Sequence, residues 1–161
     1  SDVPFFVRGG RALIGGRGEI VRPLPDAEPL WIVLLMPPVA VSTAAAFGAL
    51  TPRDYVAGDD SAAMVAAIRT REPLPLARCS NALERSVVAA YPEVGAALDV
   101  LRAAGAPVAC MSGSGAAVFA PFRELAGAAR VYAAVRERGQ PAWLTHTVTA
   151  AECRLSRTLQ G

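Results

Sequence analysis

The sequence predicts an α+β fold, a small antiparallel sheet with helices packed on one face. Three observations carry this reading. Trp31-Ile32-Val33-Leu34-Leu35-Met36 is a short apolar run closed by Pro37-Pro38, the pattern of a strand buried on both faces. Residues 108–111 and 116–122 are strand-like runs flanking Ser112-Gly113-Ser114-Gly115. Between and after them lie stretches with apolar residues at helical spacing, for example Met64, Val65 and Ile68.

Taken in order, residues 9–20 carry Gly9, Gly10, Gly15, Gly16 and Gly18, a density that marks tight turns between short extended pieces. Pro23, Pro25 and Pro29 form a breaker segment and a domain boundary. After the strand at 31–36, Ser42 or Thr43 can cap a short helix running through Phe47. A helix is expected over 61–71, ended by Pro73 and Pro75. Asn81-Ala82-Leu83-Glu84 approximates a capping box and opens a helix to about Tyr91. Pro92 suits the first position of the next helix, which stops at Gly105. Residues 125–138 form an amphipathic helix ending at Gly139. Residues 143–151 alternate Trp143, Thr145, Thr147 and Thr149 with Leu144, His146 and Val148, which predicts a last strand at a sheet edge.

Composition narrows the function classes. Apolar residues make up 53% and charged residues 19%, below the roughly 25% of an ordinary soluble domain. That composition excludes disorder. The net charge is +2, and the basic residues are all Arg and scattered, so no nucleic-acid stripe emerges. With no Lys, the chain has neither a Walker-type phosphate lysine nor a Schiff-base lysine. Cys79, Cys110 and Cys153 are odd in number and lack C-x-x-C spacing, which fits thiols in a reducing compartment. They make no recognised metal pattern with the single His146, so no metal site is expected. No signal peptide stands out, and the run from Leu30 to Met36 is too short to span a bilayer, so the expected location is cytoplasmic, with no membrane partner. Phe5 and Phe6, close to the first residue, suggest a sequence that begins in the middle of a fold.

Three features can carry chemistry. Alternating Ser and Gly in Ser112-Gly113-Ser114-Gly115 lets a tight turn aim successive N–H groups and hydroxyls at one spot, which suits an anion. A plain Gly/Ser hairpin is the other reading. Neither a hydrolase nucleophile elbow nor a dinucleotide fingerprint is present. Asp2 stands beside the apolar Val3-Pro4-Phe5-Phe6, where desolvation favours a base; a solvated acid or a helix cap is the alternative. Phe47 is either a core residue or a platform for a planar base.

In order along the chain, Ser1-Asp2-Val3-Pro4-Phe5-Phe6, Arg8-Gly9-Gly10-Arg11-Ala12, Gly16-Arg17-Gly18-Glu19, Val41-Ser42-Thr43 with Phe47, Asn81-Ala82-Leu83-Glu84, Tyr91-Pro92-Glu93-Val94 and Met111-Ser112-Gly113-Ser114-Gly115 resemble one family. It is the 4-diphosphocytidyl-2-C-methyl-D-erythritol kinases of the GHMP superfamily. The resemblance spans Ser1 to Phe119 and departs at Ala82, Ala116 and Ala117, where the family usually differs.

The resemblance implies a GHMP-kinase C-terminal domain over 30–161, preceded over 1–29 by a remnant of the N-terminal nucleotide domain. It implies phosphorylation of the substrate's 2-hydroxyl by ATP with Mg²⁺. Asp2 matches the catalytic base. Phe47 matches the aromatic residue that stacks on cytosine, and Thr43 lies in the same substrate-binding segment. Ser112, Gly113, Ser114 and Gly115 match the loop near the transferred phosphate. The implied partners are a small molecule bearing a cytidine diphosphate group and the N-terminal half of the same kinase. That half would hold the phosphate loop, the lysine and most of the contacts to ATP and metal, so this chain alone is expected to be inactive. Two further readings stay open: a free-standing small-molecule-binding domain, and a GHMP kinase acting on another alcohol.

Overall fold

The structure, a computed structural model, describes residues 3–54 and 58–158, with the side chains of residues 53 and 155–158 left aside. The described residues fall into two compact units. One takes residues up to Pro29 together with 58–75 and the residues from Thr147; the other takes Leu30 onward and 76–146.

The second unit holds the core and the sheet. Strand β3 (Trp31–Leu35) is central, with β5 (Val118–Phe122) on one side and β6 (Ala142–His146) on the other. The two-residue β4 (Cys110–Met111) extends the sheet beyond β5, giving the order β4-β5-β3-β6, antiparallel throughout. Register aligns Leu35 with Val118 and Ala142, Val33 with Ala120 and Leu144, and Trp31 with Phe122 and His146. Because side chains alternate along a strand, these three rows share one face. Val33, Leu35, Val118, Ala120, Phe122 and Ala142 on that face are all buried.

Helices α5 (Pro92–Ala103) and α6 (Leu125–Glu137) cover the sheet. Val94, Ala97, Leu98 and Leu101 recur at the i, i+3, i+4, i+7 spacing of one helical stripe, and so do Ala128, Val131 and Val135. Pro92 occupies the first turn of α5, where its missing N–H has no intrahelical partner to lose. Helix α4 (Glu84–Ala90) packs on α5 and contributes Val87 to the core, and the short α2 (Thr43–Gly48) contributes Ala46.

The first unit contains α1 (Val3–Arg8), a hairpin of β1 (Ala12–Gly15) and β2 (Ile20–Pro23), α3 (Asp59–Thr70) and α7 (Ala150–Thr158). Among the described residues no helix is long and apolar enough to cross a membrane.

Helix α1 forms across Pro4, since a proline in a helix's first turn loses no hydrogen bond. Three local expectations change. The strand β3 is buried mainly on the helix-facing side, with Ile32 and Leu34 only half-buried. The strand read over 143–151 ends at His146, and Ala150 begins α7. Its start is a reciprocal capping box. Thr149 N–H and Oγ1 donate to Glu152 Oε2 at 2.7 and 2.8 Å, and Glu152 N–H returns to Thr149 Oγ1 at 3.2 Å. By contrast, Asn81 and Glu84 form no such box: the N-cap of α4 is Leu83, Asn81 Oδ1 accepts the Leu83 N–H and not that of Glu84, and the Glu84 carboxylate turns to Met111.

Candidate functional site

The Ser112–Gly115 turn joins β4 to β5. Ser112 N–H donates to the Ala117 carbonyl at 2.8 Å, and Gly115 N–H donates to the Ser112 carbonyl at 3.0 Å. Two of the four N–H groups are therefore used within the turn. Among the described residues, the N–H groups of Gly113 and Ser114 meet no acceptor, and these adjacent donors are what the turn can offer an anion. Gly115 has φ +90°, and a Cβ there would lie 3.0 Å from Met111 Sδ and 3.4 Å from Val41 Cγ2. Both conformation and space require glycine at this position.

Three side chains from distant segments hold the turn. Asn81 Nδ2 donates to the Met111 carbonyl at 2.9 Å and to the Gly113 carbonyl at 2.7 Å, while Asn81 Oδ1 accepts the Leu83 N–H at 3.0 Å. Glu84 Oε2 accepts the Met111 N–H at 2.8 Å. The Thr43 and Ser114 hydroxyls are 2.9 Å apart across 71 positions of sequence. By local pattern Asn81 and Glu84 read as a helix start; their polarity and spacing were visible, but not the partners they take.

Thr43 is the first residue of α2, capped by Ser42, whose Oγ accepts the Ala45 N–H at 3.3 Å. Phe47 follows four residues later, on the same side of the helix as Thr43. Its ring is 58% exposed, so it is not a core residue within this chain. The structure thus brings together Thr43, Ser114 and the rest of the turn, with Phe47 one helical turn away. Asp2 lies outside the described residues.

A second polar anchor braces the approach to α4. Asp54 is the one buried charged residue among those described. Its Oδ2 accepts the Thr51 hydroxyl at 2.7 Å and the Thr51 N–H at 2.8 Å, and its Oδ1 accepts Arg85 Nε at 3.0 Å. The Thr51 hydrogen bonds, then Arg85, hold this carboxyl down at about 2 against an ordinary value of 3.8. A depressed acid contributes stability that is fully present above its unfolded value and lost as pH falls through its folded one. Stability from Asp54 is therefore expected to fade between about pH 4 and pH 2. Thermal melts of the parent and Asp54→Asn across that window check this: the gap between them should narrow as pH drops.

Among the described residues no group of three or more His, Cys, Asp or Glu side chains is placed to hold a metal ion.

Residues 64–140 match the family model for the C-terminal part of GHMP kinases. Over 148 residues the chain is 41% identical to the 4-diphosphocytidyl-2-C-methyl-D-erythritol kinase of Pelotomaculum thermopropionicum, covering 91% of this chain and 52% of that protein. The chain has the fold of a GHMP-kinase C-terminal domain. The correspondingly named kinase of Geobacillus kaustophilus is 40% identical over 137 residues, 84% of this chain and 47% of the relative. A crystal structure of a 4-(cytidine 5'-diphospho)-2C-methyl-D-erythritol kinase superposes with a TM-score of 0.73 at 31% identity, covering 91% of this chain and 53% of the other. The chain therefore spans about half the length of the curated relatives it matches. Asn81, Glu84 and the whole Ser112–Gly115 turn fall inside the family match, whereas Thr43 and Phe47 precede it.

Proposed function

We propose that this chain is the C-terminal part of an ATP-dependent kinase that phosphorylates the 2-hydroxyl of 4-diphosphocytidyl-2-C-methyl-D-erythritol, in the non-mevalonate route to isoprenoid precursors in the cytoplasm. The observation that carries the reading is the 40–41% identity, over most of this chain, to kinases named for that substrate. Residues 1–29 are read as the end of the N-terminal kinase domain, carrying Asp2, and 30–161 as the substrate-binding domain. The N-terminal half of the same kinase completes the site. It supplies a lysine and the metal ligands, since this chain has no Lys and its described residues include no metal-binding group.

Asp2 takes the proton of the acceptor hydroxyl as the phosphoryl group arrives. The Gly113 and Ser114 N–H groups face the charge that develops on the phosphoryl oxygens, with the turn held rigid by Asn81, Glu84 and Thr43. The exposed Phe47 ring stacks on the cytosine, and Thr43 borders the same substrate position. Magnesium ATP, when bound, supplies the phosphoryl group and neutralises its charge.

The test is ADP release by the complete protein with ATP, Mg²⁺ and the cytidyl substrate, set against homoserine and mevalonate as acceptors. Turnover of the cytidyl substrate alone is expected; preference for another alcohol overturns the assignment. Phe47→Ala is expected to raise KM about tenfold, within the roughly 1–3 kcal/mol of one base–aromatic stack, while kcat and melting temperature stay near the parent's. Phe47→Trp should retain the parental KM.

A further inference from the structure

A cleft of about 580 Å³ opens in the second unit between α4, α5 and the β4 edge, away from the Gly113–Gly115 tip. Its charged groups are taken up by their neighbours. Glu84 Oε2 holds the Met111 N–H, Glu84 Oε1 lies 3.8 Å from Arg102, and Arg102 donates to Asp99 at 3.0 Å. What distinguishes the wall is a pair of thiols, Cys79 and Cys110.

The two cysteines are 31 positions apart in sequence and adjacent in space. Cys110 Sγ donates to the Cys79 carbonyl at 3.0 Å. Cys110 is buried at the start of β4, while Cys79 is half-buried and lines the cleft, so a small reagent meets Cys79 first. The hydrogen bond from Cys110 draws the Cys79 thiol down to about 7, against burial and Glu84, which push it up. The same hydrogen bond, followed by burial, pushes Cys110 up. An accessible thiolate beside a protonated second thiol is the arrangement of an attacking and a resolving cysteine.

We propose that Cys79 and Cys110 form a peroxide-reactive dithiol that closes reversibly to a disulfide. The Cys79 thiolate attacks one oxygen of hydrogen peroxide. The O–O bond breaks, hydroxide leaves, and Cys79 becomes a sulfenic acid. Cys110 sulfur then attacks Cys79 sulfur, the S–O bond breaks, and the Cys110 proton leaves with that oxygen as water. Overall, two thiols lose two electrons and two protons, and one peroxide becomes two waters. A disulfide here would tie the segment bearing Asn81 to the strand bearing Met111, the two segments that position the Ser112–Gly115 turn.

The test exposes the complete protein to stoichiometric hydrogen peroxide at pH 7, followed by denaturing alkylation and tryptic mapping. The expected product is peptide 79–85 linked to peptide 103–123, lighter by two hydrogens than their sum and separated again by dithiothreitol. Cys79 should be consumed about threefold faster than cysteine in an unstructured peptide, since the gain in thiolate fraction outweighs the lower nucleophilicity of a more acidic thiol. Cys110→Ser should stop at a sulfenic acid on Cys79 that dimedone traps. If that variant does not fold, the cross-link in the parent decides alone. Oxidation of Cys79 to sulfinic acid without a linked peptide, or a rate no faster than the reference peptide, overturns the proposal.

Discussion

On the proposed reading, Asp2→Asn in the complete protein is expected to lower kcat by about 10²–10⁴-fold, the range that one positioned general base contributes, while KM changes little. Asn keeps the shape of the side chain and can still hydrogen-bond the acceptor hydroxyl, but it cannot take the proton. A loss confined to kcat separates the base role from substrate binding. Steady-state kinetics over a range of cytidyl substrate checks it, and turnover within a few-fold of the parent's removes Asp2 from the reaction. Asp2→Glu is the companion variant. It keeps the carboxylate but displaces it by one methylene, so it should recover part of the rate only if the proton is taken directly.

Asn81→Ala is expected to cost about 1–3 kcal/mol of stability, because it leaves the Met111 and Gly113 carbonyls and the Leu83 N–H without their partner. In a chain of this size that is a fall of several degrees in melting temperature. The turn would loosen as well, so kcat/KM of the complete protein for the proposed reaction should fall with it. Asn81→Asp distinguishes two roles for the residue. If Asn81 acted only as a helix cap, Asp would serve as well and stability would be kept. Because Asn81 donates two hydrogen bonds to carbonyls, Asp places a carboxylate against two acceptors and should be at least as damaging as Ala. Melting curves of the three proteins decide between these outcomes.

The Asn81 comparison marks where sequence reasoning reaches its end. The spacing of Asn81 and Glu84 was legible and its local interpretation was wrong, whereas the equivalent Thr149–Glu152 spacing made a true capping box inside a run that alternation assigned to a strand. Both segments offer the same local option. At Asn81, nearby β4 and the turn leave carbonyls and an N–H in need of partners, and the side chains satisfy those instead. Near Thr149 the threonine and glutamate side chains bond across the helix start, so the local option stands. Phe47 shows the complementary case. Nothing in its neighbours distinguishes a core ring from a presented one, and only the packing of α2 through Ala46 turned Phe47 outward.

By itself the sequence determined the central strand, the helices over α3 to α6, the strand pair and the glycine turn between them. Each depends on periodicity, proline or glycine over a few adjacent residues, and those effects act within the chain's immediate neighbourhood. It also excluded a phosphate lysine, because composition is indifferent to folding. Only the tertiary structure decided that Thr43 meets Ser114, that Asn81 clamps the turn, that Asp54 pairs with Arg85 and that Cys79 lies beside Cys110. Each of these contacts joins residues about 30 to 70 positions apart. A polar side chain has several partners of similar energy, and the choice falls to whichever backbone groups and side chains the packed sheet and helices bring within hydrogen-bonding distance.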